Sequence, residues 1–247
     1  MFELLILVSL VLFGSVFALI GGLIFLSVPR WSETLSMYSV PFAGGVLLTV
    51  ALLGVLPESV ELIDHSAFLI TLVTFLVVYI FENLFFSLHH HEEDGHHQLA
   101  HRSSWFVMLG DTIHNFIDGV AIATAFIIAP GLGLITAIST FLHEVPHEIG
   151  DFGILLKAKW SKRNIILTNL FSACASLVGA VAVYFVKPSD YILGILLAIS
   201  AGIFLYLGAS DFLPHAGKHL SKSKMMISLL FGVGLMMLSI LSIPHAH

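Results

Sequence analysis

Two stretches of this 247-residue chain set histidines and carboxylates at spacings that suit a divalent metal ion. One is "HEVPHEIGD", residues 143–151; the other is "GDTIHNFIDG", residues 110–119. His143/His147 and His114/Asp118 are both i, i+4 pairs, which a helix holds on one face a turn apart as two-point chelators. At about 100° per residue, Asp111, His114, Asn115 and Asp118 share about 100° of arc, and His143, Glu144, His147, Glu148 and Asp151 share about 140°. Imidazole and carboxylate without thiolate suit Zn²⁺, Fe²⁺, Mn²⁺ or Cd²⁺ as the bound ion. Neither stretch contains lysine or arginine, so the cation that balances these oxygens must come from solution. Asp111 and Asp151 fall one to two turns from the midpoint of the set and read as a second station.

The elements that carry these residues are apolar. The chain is 57% hydrophobic and only 11% charged, against roughly 25% charged for a soluble domain. Spans of about 20 residues cross a bilayer, and eight such segments are expected, at about 3–28, 36–57, 66–88, 104–129, 132–157, 163–186, 189–213 and 224–243. The opening "MFELLILVSLVLFGSVFALIGGLIFL" has too long an apolar core, and no basic leader, for a signal peptide. It reads as a retained first span. The expectation is a single transmembrane domain over 1–247, all-α, with a histidine-rich loop at 89–102. His114 and His143 each fall about eleven residues into oppositely running segments, so both reach the midplane. An ionisable group there costs about 2.5–3.5 kcal/mol on insertion scales, which makes a partnered, functional cluster the expectation.

Orientation follows from the basic residues. Arg30, Arg102, Lys157, Lys159, Lys162, Arg163, Lys218, Lys222 and Lys224 lie on one side, and only Lys187 lies on the other. That asymmetry puts both termini outside the cytoplasm and the 89–102 loop inside. The single cysteine, Cys174, excludes a disulfide framework and a thiolate cluster. No basic patch interleaved with aromatics points to nucleic acid. The loop histidines (His89, His90, His91, His96, His97, His101) suit weak metal binding or a solvated linker equally. Glu82, Asn83, Asp211 and His215 are candidates for lining an inner mouth.

Residues 143–147 also match H-E-x-x-H, the zinc-protease pattern of two histidine ligands and a glutamate base. That reading makes His143 and His147 ligands, Glu144 the base and Asp118 a third ligand. Against it, Asn115, Pro146 and the trailing acids have no hydrolytic task. Pro146 also frees the Leu142 carbonyl, so a kink beside the site is expected.

"HNFIDG" (114–119) with "HEVPHEIGD" (143–151) resembles the paired signature of the ZIP, or Zrt/Irt-like, divalent-metal transporters, in the branch with His-Glu-x-Pro-His-Glu in the fifth helix. "FAGGVLLTVALLGVLPE" (42–58) is similar to the second helix of that family and "AGIFLYLGASDFLPH" (201–215) to its seventh. The resemblance implies transport of zinc or a related ion into the cytoplasm, with no enzymatic activity and no prosthetic group. It implies a 3+2+3 arrangement of eight helices, with helices one to three and six to eight as inverted repeats. It also implies a binuclear centre between helices four and five. One site would use His114, Asp118, His143 and His147; the other Asn115, Asp118, Glu144 and the shared His147. Where some ZIP proteins carry a sixth-helix glutamate, this chain has Ser176 in "ASLVG" (175–179), so the second ion would be held less tightly. The expected assembly is a homodimer in the plasma (inner) membrane.

Overall fold

The computed structural model describes residues 2–27, 29–85, 98–216 and 221–243, and all regular structure among them is helical. His89, His90, His91, His96 and His97 lie outside the described residues, as do the side chains of Glu82, Asn83, His101 and His215. The helices form eight rods: α1 (Phe2–Ser27), α2 (29–63), α3 (Ser66–Phe85), α4 (Gln98–Ile128), α5 (Pro130–Lys157), α6 (Lys162–Val186), α7 (190–216) and α8 (Lys222–Ser242). Residues 98–102 of the expected loop are thus the first turn and more of α4.

By length and composition, six rods carry a stretch able to cross a membrane: α1, α2, α4, α6, α7 and α8. Helix α3 contributes the shorter apolar stretch Ser66–Phe81. Helix α5 has the length, at 28 residues, but holds the ionisable groups of 143–151 in its second half. Local signals set the boundaries. Asp64 turns the chain between α2 and α3 at φ 53°. Pro130 opens α5, where its missing N–H costs nothing. The Ser161 hydroxyl accepts from the Asn164 amide and caps α6. Pro146 sits inside a continuous α5. Single π-helical turns interrupt α1 at Leu12–Val16, α2 at Ala51–Val55 and α7 at Leu207–Phe212.

The rods pack as two groups. Helices α1, α4, α5 and α6 contact one another, α2 contacts α3, α7 and α8, α3 contacts α7, and α5 meets α2 while α7 meets α4 across the seam. Large apolar side chains face outward, among them Phe17 on α1, Leu69 on α3, Phe171 and Phe185 on α6, and Phe231 on α8. In water this would be an extended apolar patch far beyond what monomers expose; against lipid tails it is the expected surface.

Lipid supplies no hydrophobic drive between helices, so close backbone packing by small residues must hold them. The α4–α6 contact is reciprocal: a Cβ on Gly119 would fall on the Ser176 carbonyl oxygen, and one on Gly179 would fall on the Phe116 carbonyl oxygen. Gly45 and Gly232 make the same exchange between α2 and α8, against Leu229 and Phe42. The glycine of "HNFIDG" is therefore a packing residue that seats α4.

Gly119→Val should lower stability by about 2 kcal/mol or more, because the backbone neighbour cannot give way. For a chain of this length that corresponds to roughly 4–8 °C in a melt of the detergent-solubilised protein. Gly110→Ala, on the same helix with no heavy atom within 4 Å of the added methyl, should leave the melt unchanged or raise it.

Candidate metal centre

Helices α4 and α5 lie side by side and turn their polar faces toward each other. His114, Asp118, His143 and Glu144 bring one donor atom each to a common point. His114 Nε2 is 2.9 Å from Glu144 Oε1, and His143 Nε2 is 3.1 Å from Asp118 Oδ2. The crossed pairs, His114 with Asp118 and His143 with Glu144, are 3.8 and 3.9 Å apart. Bond lengths of about 2.0–2.1 Å put the donor atoms of a tetrahedral zinc ion about 3.3 Å from each other. The four observed separations straddle that value.

Hydrogen bonding shows why these atoms need a cation. His143 Nδ1 lies 2.8 Å from the Ser139 carbonyl oxygen. A carbonyl oxygen only accepts, so Nδ1 carries the proton and donates. In the neutral ring Nε2 then presents a lone pair, and it presents it to a carboxylate oxygen. Two acceptors at 3.1 Å are held together favourably only by a positive species between them, a proton or a metal ion. The Ser139 contact also fixes the ring, as an outer hydrogen bond does for metal-binding histidines. Asp118 Oδ1 and Glu144 Oε2 have no hydrogen-bond donor among the described residues, though both side chains are fully buried. Orphaned buried anionic oxygens are costly.

A second cluster lies along the same pair of helices, toward the start of α4 and the end of α5. His147 Nδ1 is 3.6 Å from Asp111 Oδ1 and 3.8 Å from Asp151 Oδ2. Asn115 Nδ2 donates to Asp111 Oδ1 at 3.0 Å and to the Asp111 carbonyl at 3.2 Å, so Asn115 orients a carboxylate while its own Oδ1 stays without a donor among the described residues. The His147 side chain is 21% exposed, against 0% for His143, which makes this cluster the accessible end. Glu148 is fully buried beside Asp111 and Glu144.

All nine site residues read from the sequence thus fall at the α4–α5 seam, but their grouping differs. Glu144 joins the four-atom cluster; His147, expected to share an ion with His143, turns its Nδ1 toward Asp111 and Asp151 while its ring lies 5.1 Å from that of His114. The tie from His143 Nδ1 to Ser139 aims its Nε2 at α4 and away from the next turn of α5. Ser176 donates its hydroxyl to the Ala173 carbonyl at 2.6 Å, and its backbone is spent on the Gly119 contact. Sequence reasoning missed two aromatic neighbours. Phe204 and Phe212 of α7 lie against His143 and His147, with ring centroids 5.8 and 6.3 Å apart. The stretch 201–215 gave the only signal, and nothing in its spacing says that these rings face His143 and His147.

The paired motifs that build this seam match a known family. The model of the family described as ZIP Zinc transporter matches residues 87–240, which include both motifs. The chain belongs to the ZIP zinc transporter family. It is similar to human zinc transporter ZIP4 (39% identical over 132 residues, 53% of this chain and 20% of that protein). Mouse zinc transporter ZIP10 is 43% identical over 116 residues, 45% of this chain and 13% of that protein. The Drosophila melanogaster zinc transporter foi is 34% identical over 139 residues, 55% of this chain and 20% of that protein. The chain thus spans about a fifth or less of the length of these curated relatives. With its apolar rods and its family, this ZIP chain is an integral membrane protein.

The four-atom cluster carries a direct expectation. Zn²⁺ affinity of the detergent-purified protein, measured by equilibrium dialysis, should fall at least about ten-fold in His143→Ala and in Asp118→Asn, since each removes a ligand. Ser176→Ala should bind as the unaltered protein does.

Proposed function

We propose that this chain carries divalent transition-metal ions across a membrane into the cytoplasm, with Zn²⁺ the main substrate and Fe²⁺, Mn²⁺ or Cd²⁺ alternatives. The observation that carries the reading is the buried set His114, Asp118, His143 and Glu144, spaced for a tetrahedral dication and with no lysine or arginine paired to it among the described residues. The zinc-transporter names of its relatives support the choice of ion.

In this reading all eight rods cross the bilayer in the 3+2+3 arrangement, and 1–247 is one transport domain. The Lys/Arg asymmetry supports outward termini and a cytoplasmic 89–102 loop. A homodimer in the plasma membrane is part of the same proposal. An ion loses water at the four-atom cluster, where charge neutralisation replaces hydration, and leaves through Asp111, His147 and Asp151. Helix α7 belongs to the group of α2, α3 and α8, and its Phe204 and Phe212 rings wall off the histidines. Sliding one group past the other would uncover the ligands on one side at a time, which prevents a leak. Metalloprotease chemistry fits poorly: a zinc hydrolase needs His143 and His147 on one ion, and here they fall in separate clusters.

Proteoliposomes holding the purified chain should accumulate ⁶⁵Zn²⁺, with His114→Ala and Glu144→Gln each slowing the initial rate at least about ten-fold. Cleavage of a membrane substrate without zinc accumulation would decide for the protease. Protons compete with metal for the imidazole lone pair, whose ordinary pKa is about 6.5. Uptake should therefore be full near neutrality and decline as pH falls toward 5; a flat profile from pH 7.5 to 5 would count against histidine ligation.

A further inference from the structure

The two histidine-containing clusters are joined by a third group that contains no histidine. Asp111, Glu144 and Glu148 each bring a carboxylate oxygen within 4.8 Å of the others. Glu144 also belongs to the four-atom cluster, and Asp111 also belongs to the set with His147 and Asp151. Glu148 belongs to neither. It is 0% exposed, and neither of its oxygens has a hydrogen-bond donor among the described residues. Asp111 Oδ2 is also without one, since Asn115 reaches only Oδ1. A buried carboxylate left so bare, aimed at two others, is a large unfavourable term unless something positive sits between them.

Helix geometry explains the meeting. Glu144 and Glu148 are one turn apart on the same face of α5. Asp111, one turn from Asn115 on the neighbouring α4, reaches the gap between them. The order along the seam is therefore His114–Asp118–His143–Glu144, then Glu144–Glu148–Asp111, then Asp111–His147–Asp151.

We propose that Asp111, Glu144 and Glu148 form an all-oxygen station for a divalent cation, which takes the ion from the four-atom cluster through the shared Glu144 and hands it on through the shared Asp111. The proposal rests on the transport reading and deepens it. With one ligand common to each neighbouring pair of stations, the ion is never stripped of protein ligands as it moves. Oxygen-only coordination holds Zn²⁺ less tightly than a site with imidazole does, and costs a hard dication such as Mn²⁺ the least. A station that holds zinc less well than its neighbour lets zinc leave the histidines without trapping it, and Glu148 is the residue that exists for this step alone.

The test uses the full chain in nanodiscs and proteoliposomes. Mn²⁺ binding, read from the EPR signal of free Mn²⁺, should weaken at least about ten-fold in Glu148→Gln, while ⁶⁵Zn²⁺ binding at equilibrium changes less than about two-fold. The initial rate of ⁶⁵Zn²⁺ uptake should fall at least about ten-fold in the same variant. Glu148→Asp, which keeps the charge, should recover part of both losses, and serves alone if the glutamine variant fails to fold: weaker Mn²⁺ binding with zinc binding intact supports the station, and no change in either overturns it. Wild-type Mn²⁺ binding and zinc uptake in a folded Glu148→Gln would overturn it while leaving the transport reading intact. If the unaltered protein moves no ion yet binds Mn²⁺ in a Glu148-dependent way, the station stands and the transport reading falls.

Discussion

The contact between His143 Nε2 and Asp118 Oδ2 governs this structure's chemistry. The Ser139 carbonyl uses the only proton of the neutral ring, so the other nitrogen and the carboxylate meet as two acceptors at 3.1 Å. Around them lie further buried carboxylate oxygens without donors, on Asp118, Glu144, Glu148 and Asp111. No lysine or arginine occurs between Asp111 and Asp151 to neutralise them. Such a set inside an apolar molecule calls for a positive species, a proton or a metal ion, since burial penalises unpaired charge far more than it penalises a neutralised site.

Bringing the ligands that close demands that α4 be held firmly against its neighbours. Side-chain burial does not do this in lipid, where the surroundings are as apolar as the contact. Gly119 and Gly179 do it by letting the α4 and α6 backbones touch, each against a carbonyl of the other helix. Helix α1 approaches α5 in a related way, with Gly21 against Val145 and Gly22 against Phe152. The ligand-bearing helices are thus seated by backbone contacts beside their polar faces, which remain free to face each other. The same seating occupies Ser176, whose backbone meets Gly119 and whose hydroxyl donates to the Ala173 carbonyl.

Helix α7 meets the site with aromatic rings. Phe204 and Phe212 cover the two histidines that face it, and Phe204 is fully buried. Excluding water there strengthens every charge interaction inside, because the local dielectric falls. The π-helical turn Leu207–Phe212 follows Phe204 and ends on Phe212, and its wider winding changes the angle between the two rings from that of a regular α-helix.

Much of this was legible in the residues themselves. The apolar runs and the charge deficit announced helices in lipid. The i, i+4 spacing on α4 and α5 selected the nine polar groups and the shared seam, because helical periodicity alone decides which side chains share a face. The expected loop at 89–102 was too long at one end, since polar residues at 98–102 continue α4 as readily as they end it. What periodicity cannot specify is distance between helices, rotamer, or hydrogen-bond partner. Those put Glu144 rather than His147 beside His143, left Glu148 bare against Asp111, and laid Phe204 and Phe212 over the histidines. Sequence determined which groups must be buried together; tertiary packing, through backbone contacts at glycine and one carbonyl bond to His143, decided which of their donor atoms lie side by side.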